Sequence, residues 1–415
     1  MTPSVSGSHE DMERRLPLWA LIGLGATQII GYGTVYYAFS ILAADMARDL
    51  GKSDTWVFGA FSVSLLVGSF FAPPAGRLAD RFGAGRMMAA GSAAVALTFV
   101  LAALSPGPIT FALALIAMQA VAATVLYATA FTAIVQAGGS AAKTSIVHLT
   151  LIAGFASTLF WPLTAWLHTF MSWREIFMAF AVANLALCFP LHWALSRLTV
   201  PTSGVPRGPT TMDEAPPHGN TLLMALMLAG FAIEGYALSA VLAQLVPLTQ
   251  ALGLGASGLL VATLFGPAQV ASRLINLIFG RELSQAWLAV IAAALLPVGL
   301  AILLWTTPWF GGAVLFALCA GLGSGLTSIV GGTLPLELFG RKGYGKLIGW
   351  STFAKQVPAS VAPFAMSASL ASTGVVPSLW IVAAVGIVGL AAFVVIPFAL
   401  RMSRDRGSAS YRPTT

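Results

Sequence analysis

The chain has 415 residues, of which 58% are hydrophobic and only 8% charged, and its mean hydropathy is +0.87. A water-soluble surface needs roughly 25% charged residues, so this composition excludes a soluble fold and points to a polytopic membrane protein. The formal net charge of +7 then belongs to basic loops facing anionic headgroups and not to nucleic-acid binding.

A bilayer core about 30 Å thick is spanned by a helix of roughly 20 apolar residues. Runs of that kind lie at 16–40, 55–75, 87–105, 108–136, 143–168 and 173–197. Six more follow at 221–249, 254–280, 286–306, 309–336, 346–372 and 376–402. The pattern predicts an all-α membrane protein of twelve transmembrane helices, built as two six-helix bundles at 16–197 and 221–402. Between them, residues 198–220 are rich in Pro, Ser, Thr and Gly, the composition of a solvated linker. The tails 1–15 and 403–415 read the same way. The first run is too long for a signal-peptide core and is expected to remain as helix 1.

Basic residues orient the bundle. With both termini inside, the cytoplasmic segments carry most of the 21 Lys and Arg, among them Arg14, Arg15, Arg77, Arg81, Arg86 and Lys143. External loops hold only Arg48, Lys52 and Arg174. The positive-inside rule therefore places both termini in the cytoplasm of a multi-pass plasma-membrane protein, a bacterial inner membrane being the expected setting.

The two halves look duplicated. Helix 1 begins near Leu16 and helix 7 near Thr221, Gly76-Arg77 corresponds to Gly280-Arg281, and Pro162 to Pro363, each pair about 200 residues apart. Repeats that enclose a midplane site form a transporter architecture, in which the halves rock to give alternating access.

The segment Gly76-Arg77-Leu78-Ala79-Asp80-Arg81-Phe82-Gly83-Ala84-Gly85-Arg86 resembles the loop 2–3 signature of the major facilitator superfamily. Trp173-Arg174 followed by Phe177, and Leu338-Phe339-Gly340-Arg341 before helix 11, are similar to further features of that family. The Ala84-Gly85 spacing before Arg86 departs from its pattern, as does Gly280-Arg281-Glu282 in loop 8–9. The resemblance implies a secondary carrier that works as a monomer, with Gly76, Asp80, Arg81, Gly83 and Arg86 as a gating motif. It also implies that Asp80 meets the start of helix 11 near Gly345–Lys346 as a latch between the halves. On physical grounds Gly76 and Gly83 permit a tight reversal, and the Asp80 carboxylate suits a helix N-terminus. The plainer alternative is an ordinary stop-transfer loop.

Charges inside the membrane mark function, because a central ionised side chain costs at least ~2.5–3.5 kcal/mol on insertion scales. Glu234 falls mid-way along helix 7, Arg273 in helix 8 and Lys355 in helix 11. Around Arg273, the residues Gly266, Gln269, Asn276 and Gly280 recur at alternating spacings of three and four, on one helical face. Together they predict a cavity with a net charge of +1, suited to an organic anion, with Glu234 as the proton carrier. The alternative is a structural Glu234–Arg273 pair. In helix 1, Gln28, Tyr32 and Tyr36 form a stripe that Tyr127 and Thr124 of helix 4, and Ser351 of helix 11, are placed to face. Tyr36 and Tyr37 also suit an interface anchor. His148, near the end of helix 5, is an alternative proton carrier or a structural hydrogen-bonding group.

Other chemistry is not encoded. Gly51-Lys52-Ser53 has Met46 where a phosphate loop needs its first glycine. Cys188 and Cys319 have no paired spacing, no metal-ligand cluster appears, and no nucleophile and base fall together. The chain is thus expected to be neither an enzyme nor dependent on a cofactor. Helix 5 lacks the Gly-Pro-x-x-Gly-Gly pattern of the superfamily's drug–proton antiporters. Arg273 and Pro162-Leu163 instead resemble its monocarboxylate and oxalate/formate branch. The expected partners are a small-molecule substrate, protons and the lipid bilayer. Efflux of amphipathic drugs or toxic small molecules through the tyrosine stripe is the alternative transport reading, and a transporter-like membrane sensor the alternative from another class.

Overall fold

Long apolar stretches separated by Gly, Pro and Ser breaks fold into helices, since in a hydrocarbon setting every backbone N–H and C=O must be satisfied within the segment. The computed structural model describes residues 16–199, 221–255, 257–280 and 282–409. The expected N-terminal tail, Arg281, nearly all of the linker and the last residues of the C-terminal tail lie outside these. Among the described residues, twelve helical rods follow one another. They are α1 Leu18–Asp49, α2 Asp54–Ser69 with Ala72–Phe82, α3 Ala84–Ala103, α4 Pro108–Ala137, α5 Gly139–His168 and α6 Trp173–Leu195. The second six are α7 Thr221–Ala243, α8 Ser257–Phe279, α9 Gln285–Thr306, α10 Phe310–Phe339, α11 Tyr344–Thr373 and α12 Val375–Ala409. Among the described residues, ten helices are singly long and apolar enough to cross a membrane, and the bent α2 pair makes eleven. The rod outside that count is α11, whose apolar residues are interrupted by Lys346, Lys355 and several Ser and Thr.

Three boundaries differ from the sequence pattern. First, α1 continues to Asp49, because Leu42, Ala43, Met46 and Ala47 keep burying one face while Arg48 pairs with Asp45 at 2.7 Å on the other. Second, α2 does not close at Gly76-Arg77: it bends by 45° and resumes from Ala72, where Pro residues occupy its first turn, and ends at Phe82. Asp80 is therefore helical, and Gly83, at φ 90°, makes the reversal alone. Third, α12 remains helical to Ala409.

Two compact units result. One comprises residues up to Pro206 together with Arg341–Phe353, so the beginning of α11 packs with the first six helices. Its core runs from Val35, Phe39 and Leu42 of α1 through Phe99 and Phe111 to Phe177. The other comprises Arg207–Gly340 and Ala354–Thr415, with a core from Ala237 through Leu296 and Leu300 to Phe316. Large apolar side chains also point outward: Phe279 is 79% exposed, Trp305 78% and Phe364 77%. Such surfaces suit lipid, not water.

Each unit joins its third and fourth helices in the same way. In the first, the Ala84 N–H at the start of α3 donates to Gln136 Oε1 near the end of α4 (2.8 Å). In the second, the Gln285 N–H at the start of α9 donates to both Glu337 carboxylate oxygens near the end of α10 (3.0 Å each). A shared cap at matching positions is the structural counterpart of the duplication in the sequence.

Asp80 accepts hydrogen bonds from the Gly345 N–H (2.9 Å) and the Lys346 N–H (2.8 Å), the first donors of α11. An anion at a helix N-terminus contributes about 0.3–1 kcal/mol. The approach is possible because Gly76 lies directly against the Gly345 carbonyl, where a Cβ would collide with backbone. Nearby, Arg341 donates to the Val135 carbonyl (2.7 Å) at the end of α4. Arg81 and Arg86 of the same motif are exposed, Arg81 lying over the Phe82 ring. We expect Asp80→Asn, which removes the charge and one acceptor, to loosen the start of α11. The Gly345 and Lys346 amide hydrogens should then exchange with solvent faster than in the wild type, as read by hydrogen–deuterium exchange mass spectrometry. Equal rates would show that the bonds do not hold this end.

Candidate functional site

In the second unit, polar side chains of α7 and α8 meet hydroxyls of α10, and Lys355 of α11 lies beside the α7 carboxylate. Gly321 and Gly325 let α10 lie tightly against α8. Along that seam, Gln269 Nε2 donates to Ser324 Oγ (2.8 Å) and Arg273 Nη2 to Ser328 Oγ (3.1 Å), two rungs one helical turn apart. On the neighbouring face of α10, Thr327 hydrogen-bonds the Glu234 carboxylate of α7. Lys355 of α11 packs its backbone and Cγ against Gly235, where a Cβ would meet the Lys355 carbonyl oxygen at 2.5 Å. Lys355 thus sits beside Glu234 and interacts with it electrostatically.

The structure therefore brings together Glu234, Arg273, Lys355 and Gln269. It does not form the alternative Glu234–Arg273 ion pair; each engages its own hydroxyl on α10. Arg273 is 4% exposed, yet its Nε and Nη1 have no hydrogen-bond partner among the described residues. Asn276 is also buried, and its Oδ1 likewise lacks one. Orphaned donors on a buried cation are unusual, because each costs about 1–3 kcal/mol or more when it gives up water for nothing.

In the first unit, the tyrosines form a ladder: Tyr36 to Tyr32 at 5.7 Å, Tyr32 to Tyr127 at 4.8 Å, and Tyr127 stacked on Phe131 at 5.1 Å. Two interruptions of helix geometry arrange it. Residues Gly33–Tyr37 form a π-helical turn in α1, a feature frequent at functional sites. Within α4, the helix stops at Ala122 and restarts at Tyr127, with Leu126 extended. Gln28, fully buried, donates from Nε2 to the Val125 carbonyl freed by that break (2.8 Å), and Thr129 covers the Ala123 carbonyl (2.9 Å). Thr124, placed by its spacing near the stripe, instead hydrogen-bonds the Val121 carbonyl (2.7 Å) and lies against Gly91 of α3. Ser351 bonds back to the Leu347 carbonyl (3.1 Å) within α11. His148 is half-buried on α5.

Several residues were not legible. The Ser324, Thr327 and Ser328 hydroxyls carry the second-unit cluster, and their only signal is the spacing of four that matches Gln269 and Arg273. His192 belongs to no motif in the sequence, yet it is 1% exposed and bridges Ser92 Oγ (2.7 Å) and Thr27 Oγ1 (2.9 Å). Arg174, noted for its motif, joins three helix ends: it donates to Asp49 (2.9 Å) and to the Ala103 (2.5 Å) and Ser105 (3.0 Å) carbonyls.

The family model of the Major Facilitator Superfamily matches residues 24–363. The chain belongs to this superfamily. It is accordingly a multi-pass membrane protein of the transporter class, a secondary transporter by family. No curated protein matches it as a relative. Solved structures that share its fold include the human organic anion transporter MFSD10 (TETRAN), at 14% identity and a TM-score of 0.68, covering 90% of this chain and 98% of that one. FucP, a major facilitator transporter in the outward conformation, matches at 13% identity and TM-score 0.65, covering 91% and 99%. The proton:xylose symporter XylE, bound to 6-bromo-6-deoxy-D-glucose, matches at 14% identity and TM-score 0.65, covering 89% and 94%. At these identities the likeness is one of fold.

The Gln28 brace yields a direct expectation. Gln28→Leu leaves the Val125 carbonyl unpaired in a buried site, at a cost of about 1–3 kcal/mol. The purified variant should unfold several degrees below wild type in detergent, and an unchanged midpoint would mean that the broken turn finds another donor.

Proposed function

We propose that the protein is a proton-coupled secondary transporter of a small organic anion, with Arg273 as the anion-binding group and Glu234 as the proton carrier. The observation that carries the reading is the buried Arg273 guanidinium with two unpartnered nitrogens, Nε and Nη1. A buried charge is tolerated only when it is paired and hydrogen-bonded, and a transported anion supplies what the protein leaves out. Lys355 sits beside Glu234, so the cluster carries one net positive charge when all three groups are ionised. Protonation of Glu234 raises that charge and strengthens the pull on the anion, which ties the proton to the substrate. Gln269 and Asn276 extend the polar face around Arg273. The fold likeness to an organic anion transporter and to a proton symporter is compatible with this assignment.

In this reading both termini are cytoplasmic and the carrier works as a monomer in the plasma membrane, with 16–197 and 221–402 as its two bundles joined by the linker 198–220. The motif from Gly76 to Arg86 lies on the cytoplasmic side as its gate. His148 is the second choice for the proton carrier. The tyrosine ladder of Tyr32, Tyr36 and Tyr127, braced by Gln28, favours a second reading, the efflux of amphipathic aromatic compounds, because stacked rings suit planar apolar ligands.

Proteoliposomes loaded with and without a pH gradient, and offered a panel of labelled mono- and dicarboxylates, test the first reading. Glu234→Gln should abolish gradient-driven accumulation and still permit substrate exchange; full accumulation by this variant removes Glu234 from the mechanism. Arg273→Gln should weaken binding of the carboxylate at least about tenfold, the loss of a charge-assisted hydrogen bond, with membrane insertion retained. If Arg273→Gln fails to insert and the Glu234→Gln/Arg273→Gln double variant recovers both insertion and transport, the two charges serve folding and the anion reading falls.

A further inference from the structure

The Thr327 hydroxyl has two neighbours that both want its single proton. One is the Gly323 carbonyl one turn back in α10, at 2.9 Å; the other is the Glu234 carboxylate of α7. A hydroxyl has one donor and two acceptor positions, so it cannot donate to both at once. Its partner choice is decided by Glu234. When Glu234 is ionised it can only accept, and Thr327 must turn its proton to the carboxylate and release the Gly323 carbonyl. When Glu234 is protonated, its O–H donates to Thr327 Oγ1, and the threonine proton returns to Gly323. One proton has been added to the carboxyl and none has been lost; the Thr327–Glu234 hydrogen bond has reversed and the Thr327–Gly323 bond has formed.

We propose that Thr327 is the positioning residue of proton coupling: its hydroxyl reverses direction with the protonation of Glu234 and passes that state to α10. This rests on the reading of Glu234 as the proton carrier. The next residue of α10, Ser328, accepts from Arg273 and itself donates to the Ser324 carbonyl at 3.1 Å. Adjacent residues of one helix therefore hold the acid of α7 and the cation of α8. A change in the hydrogen bonding of the α10 backbone at Gly323–Thr327 is felt at the rung that carries Arg273. The other groups facing Glu234 leave this role to Thr327. Lys355 of α11 acts on the carboxylate electrostatically and in turn feels Arg273. From α12, Gly389 lies against Ile233 and the Glu234 backbone.

The first unit contains the same bridge without the switch. Gln28 of α1 reaches the Val125 carbonyl of α4, much as Glu234 of α7 reaches Thr327 of α10, and these pairs lie at matching places in the two repeats. The amide has a fixed donor and the carbonyl a fixed acceptor, so nothing reverses. A hydroxyl opposite a carboxyl is the combination that works in both protonation states.

Infrared pH-difference spectra of the protein in liposomes read this directly and need no substrate. The carboxyl C=O band of protonated Glu234 is the one missing from Glu234→Gln. In Thr327→Val, and in the smaller deletion Thr327→Ala, that band should move to higher frequency, because the carboxyl has lost its hydrogen-bond partner. Thr327→Ser should return it to the wild-type position. In the same vesicles, both deletions should lose gradient-driven accumulation of the labelled carboxylate while Thr327→Ser retains it. A Glu234 band that titrates but does not move in either deletion overturns the role of Thr327 and leaves Glu234 as proton carrier. Absence of any titrating Glu234 band overturns the coupling reading itself, and Thr327 with it.

Discussion

The cost of an unsatisfied polar group in a low-dielectric interior governs this molecule. Backbone groups meet that demand by forming helices, and where a helix is interrupted a specific side chain must fill the gap. The break in α4 illustrates the rule. Its freed carbonyls are taken by Thr129 and by Gln28, a residue that has no other reason to lie buried in an apolar helix. The first donors of α11 are taken by Asp80, and those of α3 and α9 by Gln136 and Glu337. These polar residues are placed where backbone geometry fails, and each such place is a joint between helices.

Among the described residues, a few buried polar atoms escape that accounting, and Arg273 is the charged group among them. Arg273 keeps a single hydrogen bond to Ser328 and leaves the rest of its donors unmatched. Under the function proposed above, this incomplete cation is the place kept for a substrate that arrives and departs. Conduction by alternating access requires a site of this kind, since a charge fully satisfied by the protein has no affinity left for a substrate. Glu234, by contrast, has both a hydroxyl and a cation at hand. In the function proposed above, this asymmetry separates their roles: Arg273 awaits a ligand, and Glu234 exchanges a proton among the partners it already has.

The two repeats share a scaffold and differ in charge. Both cap the third helix from the end of the fourth, and both send a polar side chain from the first helix to the fourth. In the first unit these side chains are amides, Gln136 and Gln28; in the second they are carboxylates, Glu337 and Glu234. Neutral amides make permanent joints, while carboxylates make joints that respond to protons and cations. The two units thus differ in where charge is housed: the second holds Glu234, Arg273 and Lys355, and the first presents the tyrosine ladder.

The twelve-helix layout was legible because hydrocarbon thickness imposes a length that no other environment demands, and apolar runs of that length are easy to see. The charged residues of the site were legible for the same reason: Glu234, Arg273 and Lys355 stand out in apolar helices. What surrounds them was not. Ser324, Thr327 and Ser328 are ordinary small polar residues whose importance depends on which helix lies opposite, and contacts between residues more than fifty positions apart leave no local trace. The end of α2 was misplaced because Gly76 looks like a stop until Gly345 is seen against it. Thr124 looked suited to the tyrosine stripe until the broken turn of α4 rotated it toward Gly91. Sequence by itself therefore determined the number of helices and the charges they must house, both set by transfer energies that act residue by residue. Tertiary structure alone decided the partners, because a hydrogen bond depends on direction and distance between helices, and neither is written in the hydropathy of either one.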